Sequence, residues 1–220
     1  MVLGWVGVMA ADIVAPVTAA SARARRQATL STLQTELFRK AIHVSVALVP
    51  TLAAISRPLT QALLFLGIAL YVAAEYARQA GAAVPGISRL TVLASRTRER
   101  DHFVLGPVTL GVGALLALQL YPEPAATVAI YALAFGDSAA SVVGTAFGRR
   151  KLPFTGGKSV VGSLACAVAV FFFALPITGN AVYAAVIAAT AAVLEAAPTR
   201  DFDNLLLPTG TGLVAAYLLL

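Results

Sequence analysis

Residues 124–151 read PAATVAIYALAFGDSAASVVGTAFGRRK. Up to Gly148 the only charge is Asp137; then Arg149, Arg150 and Lys151 follow in succession. A helical run of about 20 apolar residues crosses a hydrocarbon core of about 30 Å. Cations clustered directly after such a run mark its cytosolic end. The stretch therefore predicts a membrane helix ending on the inside, with one acid about 20 Å along its axis. That acid and those cations are what the rest of the sequence has to explain.

Composition agrees with a lipid environment. Of 220 residues, 59% are hydrophobic and 12% charged, and mean hydropathy is +0.85. A soluble domain is about half apolar and about a quarter charged. The sequence therefore predicts one integral membrane domain: an all-α, polytopic transmembrane helix bundle. Candidate spans are 2–20, 41–56, 58–76, 104–121, 124–147, 160–178, 180–197 and 204–220, about seven or eight in all. The short 41–56 run meets its successor through Arg57-Pro58, which predicts a hairpin. Within 77–103, GISRLTVLASRTRERD mixes Ile87, Leu90 and Leu93 with basic residues, as an interfacial helix does.

With the N-terminus outside, every one of the 16 Lys and Arg except Arg57 falls on inside loops. This asymmetry accounts for the net charge of +6 without nucleic acid as a partner. The first segment lacks a positive leading region and precedes RARR, so residues 1–35 read as an outward-starting anchor and basic linker. Residues 36–220 then form the functional bundle. Cys166 is the single cysteine, so no disulfide forms within the chain.

The polar residues inside apolar runs carry the chemistry. An acid within a membrane costs about 3 kcal/mol or more and faces a polar cavity in the bundle. Gly136, Ala140, Gly144 and Gly148 recur every fourth residue, a ladder for close helix approach within one chain or between two copies of a homodimer. Ser141 lies one turn from Asp137 on the same face. Next comes GRRKLPFTGGKSVVGS, in which Gly156 and Gly157 make a turn and Lys158-Ser159 open a helix. Free amides at a helix start, with Lys158, Lys151 and Arg149, suit a phosphate. A Walker A loop ends in the same Gly-Lys-Ser, but it needs glycine where Leu152 stands.

Two further stretches complete the set. In LEAAPTRDFDNLLLP, Glu195, Asp203 and Asn204 offer oxygens a few residues apart, a set suited to Mg²⁺ shared with substrate phosphates. For Asp201 alone, a polar turn is the simpler reading. In ELFRKAIH, Glu36, Arg39, Lys40 and His43 share one helix face. His43 is a candidate proton acceptor or a hydrogen-bonded structural group, and Arg39 and Lys40 either snorkel or meet phosphate. Glu75, His102 and Gly106-Pro107 are thinner candidates near the same membrane face, and Asp12 stands alone in the first span.

ELFRKAIH, HFVLGP, FGDSAASVVGTAFGRRKLP with GKSVVGS, and LEAAPTRDFDNLLLP occur in that order over residues 36–220. Together they resemble the membrane-bound polyprenol, phytol and dolichol kinase family, which includes CTP-dependent diacylglycerol kinases. Glu195, Pro198, Asp203 and Asn204 look most like phytol kinases and their prokaryotic relatives. Phosphatidate cytidylyltransferases are distantly similar, but their closing HGG and Lys-Asp signature is absent from EAAPTRDFDN. The resemblance implies transfer of the γ-phosphoryl group of CTP, with Mg²⁺, to a membrane-dissolved alcohol at the cytosolic face of a prokaryotic inner membrane. It implies Asp137, His43, Arg39 and Lys158 in catalysis, and Lys40, Arg149, Lys151, Gly156, Gly157, Lys158 and Ser159 on the nucleotide. Asp137, Glu195, Asp203 and Asn204 would hold the metal. A membrane transporter is the reading from another class, though its site would lie at mid-depth between broken helices.

Overall fold

The computed structural model describes residues 33–82, 102–199 and 202–220. The 2–20 anchor with Asp12 and RARR, most of the 77–103 interfacial segment, and Arg200 and Asp201 lie outside the described residues. By internal contacts the chain separates into Met1–Gln34 and Thr35–Leu220. The second unit holds the helix bundle and its polar cavity.

Among the described residues every element is helical. Residues 33–45 form α1, followed by a single 3₁₀ turn, Val46–Leu48, and α2, Val49–Gln79. Pro50 explains the tight turn, since it has no amide to donate to the carbonyl four residues back. Further on, α3 is Gly106–Leu120 and α4 is Ala125–Tyr131. A π-helical turn, Ala132–Gly136, leads into α5, Asp137–Phe147. The bundle ends with α6, Val160–Thr178, α7, Ala181–Ala196, and α8, Asp203–Leu219.

The expected hairpin is present inside α2. Ser56 leaves helical geometry at φ −156°, ψ 101°, two residues before Pro58, whose ring opposes the carbonyl four residues back. Thr60 Oγ1 donates to the Ser56 carbonyl at 2.9 Å. Contacts fix the direction of both legs. Lys40, ahead of the bend, reaches Asp137, while Glu75, behind it, accepts from the Val104 amide at 2.9 Å. Arg57, at the bend, donates to the carbonyls of Leu118 and Tyr121 at the other end of α3. The chain thus runs up and back, and so do α3 to α8. Among the described charged residues, only Arg57 and Glu123 lie at the end remote from Asp137.

Among the described residues, three helical stretches are long and apolar enough to cross a membrane: Leu33–Gln79, Ala125–Phe147 and Val160–Thr178. Gly106–Leu120 and Ala181–Ala196 are shorter apolar helices. Large hydrophobic side chains cover the outside, such as Ile55 at 80% exposure, Phe172 at 71% and Val193 at 72%. The interior is built of small residues: Ala114, Ala125, Ala129, Ala184 and Ala191 are fully buried. Such a chain has its packed apolar core and also an apolar outside, which water would not tolerate at this extent.

The small-residue ladder is used within the chain. On Gly162 of α6, a Cβ would fall 2.8 Å from the Ala140 carbonyl and 3.3 Å from Gly144 Cα. On Gly136 it would meet Val170 Cγ2 at 2.8 Å and Cys166 Sγ at 3.1 Å. A second copy of the chain would have to use another surface. Gly162→Val should therefore lower stability by about 2 kcal/mol or more, because a backbone carbonyl cannot step aside. Thermal unfolding in detergent measures this, and an unchanged midpoint would show that α5 and α6 do not meet here.

Candidate functional site

A cavity of about 600 Å³ opens at the charged end, and four separate sequence segments line it. α1 supplies Glu36 and Arg39, and α5 supplies Asp137, Ser141 and Thr145. The 148–159 loop supplies Lys151, Thr155, Gly156, Gly157, Lys158 and Ser159. Glu195 ends α7 and Asp203 begins α8 on the remaining wall. Asp137, Lys158 and Asp203, remote in sequence, face one space.

The loop is a closed hairpin. Lys151 and Ser159 form an antiparallel bridge, the Leu152 amide donates to the Lys158 carbonyl at 2.8 Å, and Thr155 Oγ1 donates to the Leu152 carbonyl at 2.8 Å. Its turn requires glycine: φ is +68° at Gly156 and +104° at Gly157. Ser159 caps α6, its hydroxyl accepting from the Gly162 amide at 3.1 Å. The Val160 amide donates to the Arg150 carbonyl at 3.2 Å. Two amides expected to be free for a phosphate are thus taken. The cations beside the turn, rather than the helix start itself, carry the attraction for an anion.

On one side of the cavity, Asp137 is 5% exposed. Its Oδ2 accepts from the Lys40 ammonium, and His43 Nδ1 lies 3.1 Å from the same oxygen. The ring is not aligned as a hydrogen-bond donor there, and Nδ1 has no other partner. Glu36 Oε2 accepts from Ser141 at 2.7 Å and from Arg39 at 3.0 Å. Across the cavity, the Lys158 ammonium sits 2.8 Å from Glu195 and 3.4 Å from Asp203. Ser163 donates to the second Glu195 oxygen at 3.1 Å. Burial lowers the Lys158 pKa, but Glu195, by charge and hydrogen bond, and then Asp203 and Asp137 outweigh it and hold the group above the ordinary lysine value.

The expected residues divide into those on the wall and those off it. Asp137, Arg39, Lys151, Gly156, Gly157, Lys158, Ser159, Glu195 and Asp203 line the cavity. Lys40 and His43 are buried behind Asp137 and are not on the wall. Arg149 is exposed and off it too. Asn204 is turned away: its side-chain amide donates to Thr109 Oγ1 at 2.9 Å and ties α8 to α3. Glu75 is fully buried and satisfied by Arg78 and the Val104 amide, a clasp rather than a site. Thr145, Thr155 and Ser163 are additions that sequence reasoning misses. Thr145 lies eight residues from Asp137 and Ser163 four from Ser159, so helical spacing carried the signal.

The carboxylates do not form a ready cage for a metal. Among the described residues no three of His, Cys, Asp and Glu gather closely enough to hold one. Asp137 is committed through Oδ2 to Lys40, and Lys158 spans Glu195 and Asp203. One or two carboxylates suffice for a Mg²⁺ that arrives on substrate phosphates; Glu195 and Asp203 share the wall, both paired with Lys158. No protein-family model matches the chain, and no curated protein or solved structure matches it.

Proposed function

We propose that the chain is a membrane lipid-alcohol kinase, transferring the γ-phosphoryl group of CTP to the hydroxyl of an isoprenoid alcohol or a diacylglycerol. The observation that carries this reading is the convergence of Asp137, the Lys151–Lys158 loop and the Glu195/Asp203 pair on one cavity at the charged end of an apolar bundle. The bundle spans the inner membrane of a prokaryote several times, and the cavity faces the cytosol. That placement suits a reaction between a nucleotide, which cannot enter the bilayer, and an alcohol, which cannot leave it.

Phosphoryl transfer asks the protein mainly for placement and charge neutralisation. Lys158 and Lys151 flank the Gly156-Gly157 turn and hold the phosphates, with Arg39 opposite. Asp137 meets the alcohol hydroxyl. Glu195 and Asp203 would hold Mg²⁺ brought with the triphosphate, and that ion, when bound, neutralises phosphate charge. The cytidine base is the contribution of the family resemblance; Arg39, Lys151 and Lys158 on the wall support the phosphate part of the reading.

Purified protein incubated with labelled CTP and a panel of phytol, geranylgeraniol, polyprenol and diacylglycerol should give one labelled lipid monophosphate. Absence of label from γ-labelled CTP and ATP alike, with every alcohol, would end the kinase reading. A CDP-lipid formed from phosphatidate would instead assign the neighbouring cytidylyltransferase chemistry, which attacks the α-phosphorus in a similar site.

A further inference from the structure

The two oxygens of Asp137 have different surroundings. Oδ2 carries both the Lys40 ammonium and the nearby His43 ring. Oδ1 carries neither, and Asp137 is part of the cavity wall. Lys40 and His43 are 3% and 5% exposed and stand behind that wall. A buried ammonium is costly to keep without a counter-charge. Here it has one in Asp137, and Lys40 is itself not on the cavity wall. Glu36 and Arg39, one turn earlier on α1, are on the wall; Lys40 and His43 are one layer deeper.

We infer that Asp137 acts on the incoming hydroxyl through Oδ1 alone, and that Lys40, by its hydrogen bond, and His43, by its ring lying beside the same oxygen, are positioning residues that confine Oδ2 and never touch the phosphates. The inference rests on the kinase reading and gives its acceptor side a defined geometry. As the alcohol oxygen bonds to the γ-phosphorus, the bond from phosphorus to the β,γ-bridging oxygen breaks and its electron pair leaves with CDP. The hydroxyl proton passes to Asp137 Oδ1 and from there to water in the cavity. Tethering Oδ2 leaves Oδ1 one orientation, so the carboxylate does not have to be turned when the alcohol arrives. It also keeps the Lys40 ammonium on the far side, where it cannot form a competing bridge to the triphosphate.

The test separates turnover from binding, in the full chain in detergent or bilayers. Lys40→Met should lower kcat about 100-fold, while CTP binding measured directly stays within about threefold. His43→Leu should lower kcat about tenfold, and His43→Asn, which keeps a polar group beside Oδ2, should recover most of that. A Lys40→Met protein with wild-type kcat overturns the inference. So does one that turns over normally but binds CTP tenfold more weakly, which would put Lys40 on the phosphates. If Lys40→Met alone does not fold, the His43 pair decides, since equal activity of His43→Leu and wild type also overturns it. A wild-type protein inactive with every alcohol fails the kinase reading itself, an outcome distinct from an active wild type with an indifferent Lys40.

Discussion

An Asp137→Asn protein should insert, fold into the same bundle and transfer no detectable label, a loss of about 1,000-fold or more in kcat. Asparagine keeps the size and shape of the side chain but cannot accept the hydroxyl proton. The substitution has a second consequence. Lys40 is 3% exposed and Asp137 is its paired charge, so the variant strands a buried ammonium. Breaking a buried pair from one side costs about 3–5 kcal/mol, and the single variant should melt earlier. Lys40→Met/Asp137→Asn removes both charges and should regain most of that stability while staying inactive. Stability restored without activity assigns the lost turnover to chemistry. Activity retained in Asp137→Asn would take the residue out of the reaction.

Much of this arrangement is legible in the sequence, because helical spacing and charge placement are strong signals in an oily chain. Glu36, Arg39, Lys40 and His43 fall on one stripe by period alone, and that stripe does face Asp137 and Ser141. Period gives the face of a helix but not its depth, so it does not tell Lys40 and His43 apart from wall residues. The Arg57-Pro58 break announces the hairpin, although the geometry changes at Ser56, where the consequences of proline are felt. The π turn before Asp137 is not legible. One extra residue in a turn rotates the next stretch of helix by about 100°, and nothing in ALAFG signals it. Phe135 stacked on Phe173 at 4.0 Å accompanies that turn, a contact only the folded bundle defines. Asn204 reads as a metal ligand because it is the neighbour of Asp203. Its bond to Thr109 depends on where α3 lies, which local sequence does not encode.

Lys158→Met is the other substitution with a large expected effect, and it acts on the opposite wall. Lys158 is held between Glu195 at 2.8 Å and Asp203 at 3.4 Å, and Glu195 is only 4% exposed. A charge-assisted contact to a phosphate is worth about 1.5–3 kcal/mol, so CTP binding should weaken about 100-fold. Lys158→Arg keeps the charge and should retain part of the affinity, since its longer planar head must share the same two carboxylates. The pH dependence comes from the direction of the pKa. The folded-state value lies above the ordinary lysine value, because Glu195, Asp203 and Asp137 together outweigh burial. Its contribution to stability is therefore complete below the unfolded value and is lost only as pH rises through the raised one. Wild-type CTP affinity should show no alkaline decline from this residue between neutral pH and about pH 10. A decline at lower pH that disappears in Lys158→Met would mean that the ammonium is not held by Glu195 and Asp203. Unchanged affinity in Lys158→Met would remove the lysine from the phosphate site, and with it the role of the Gly156-Gly157 turn beside it.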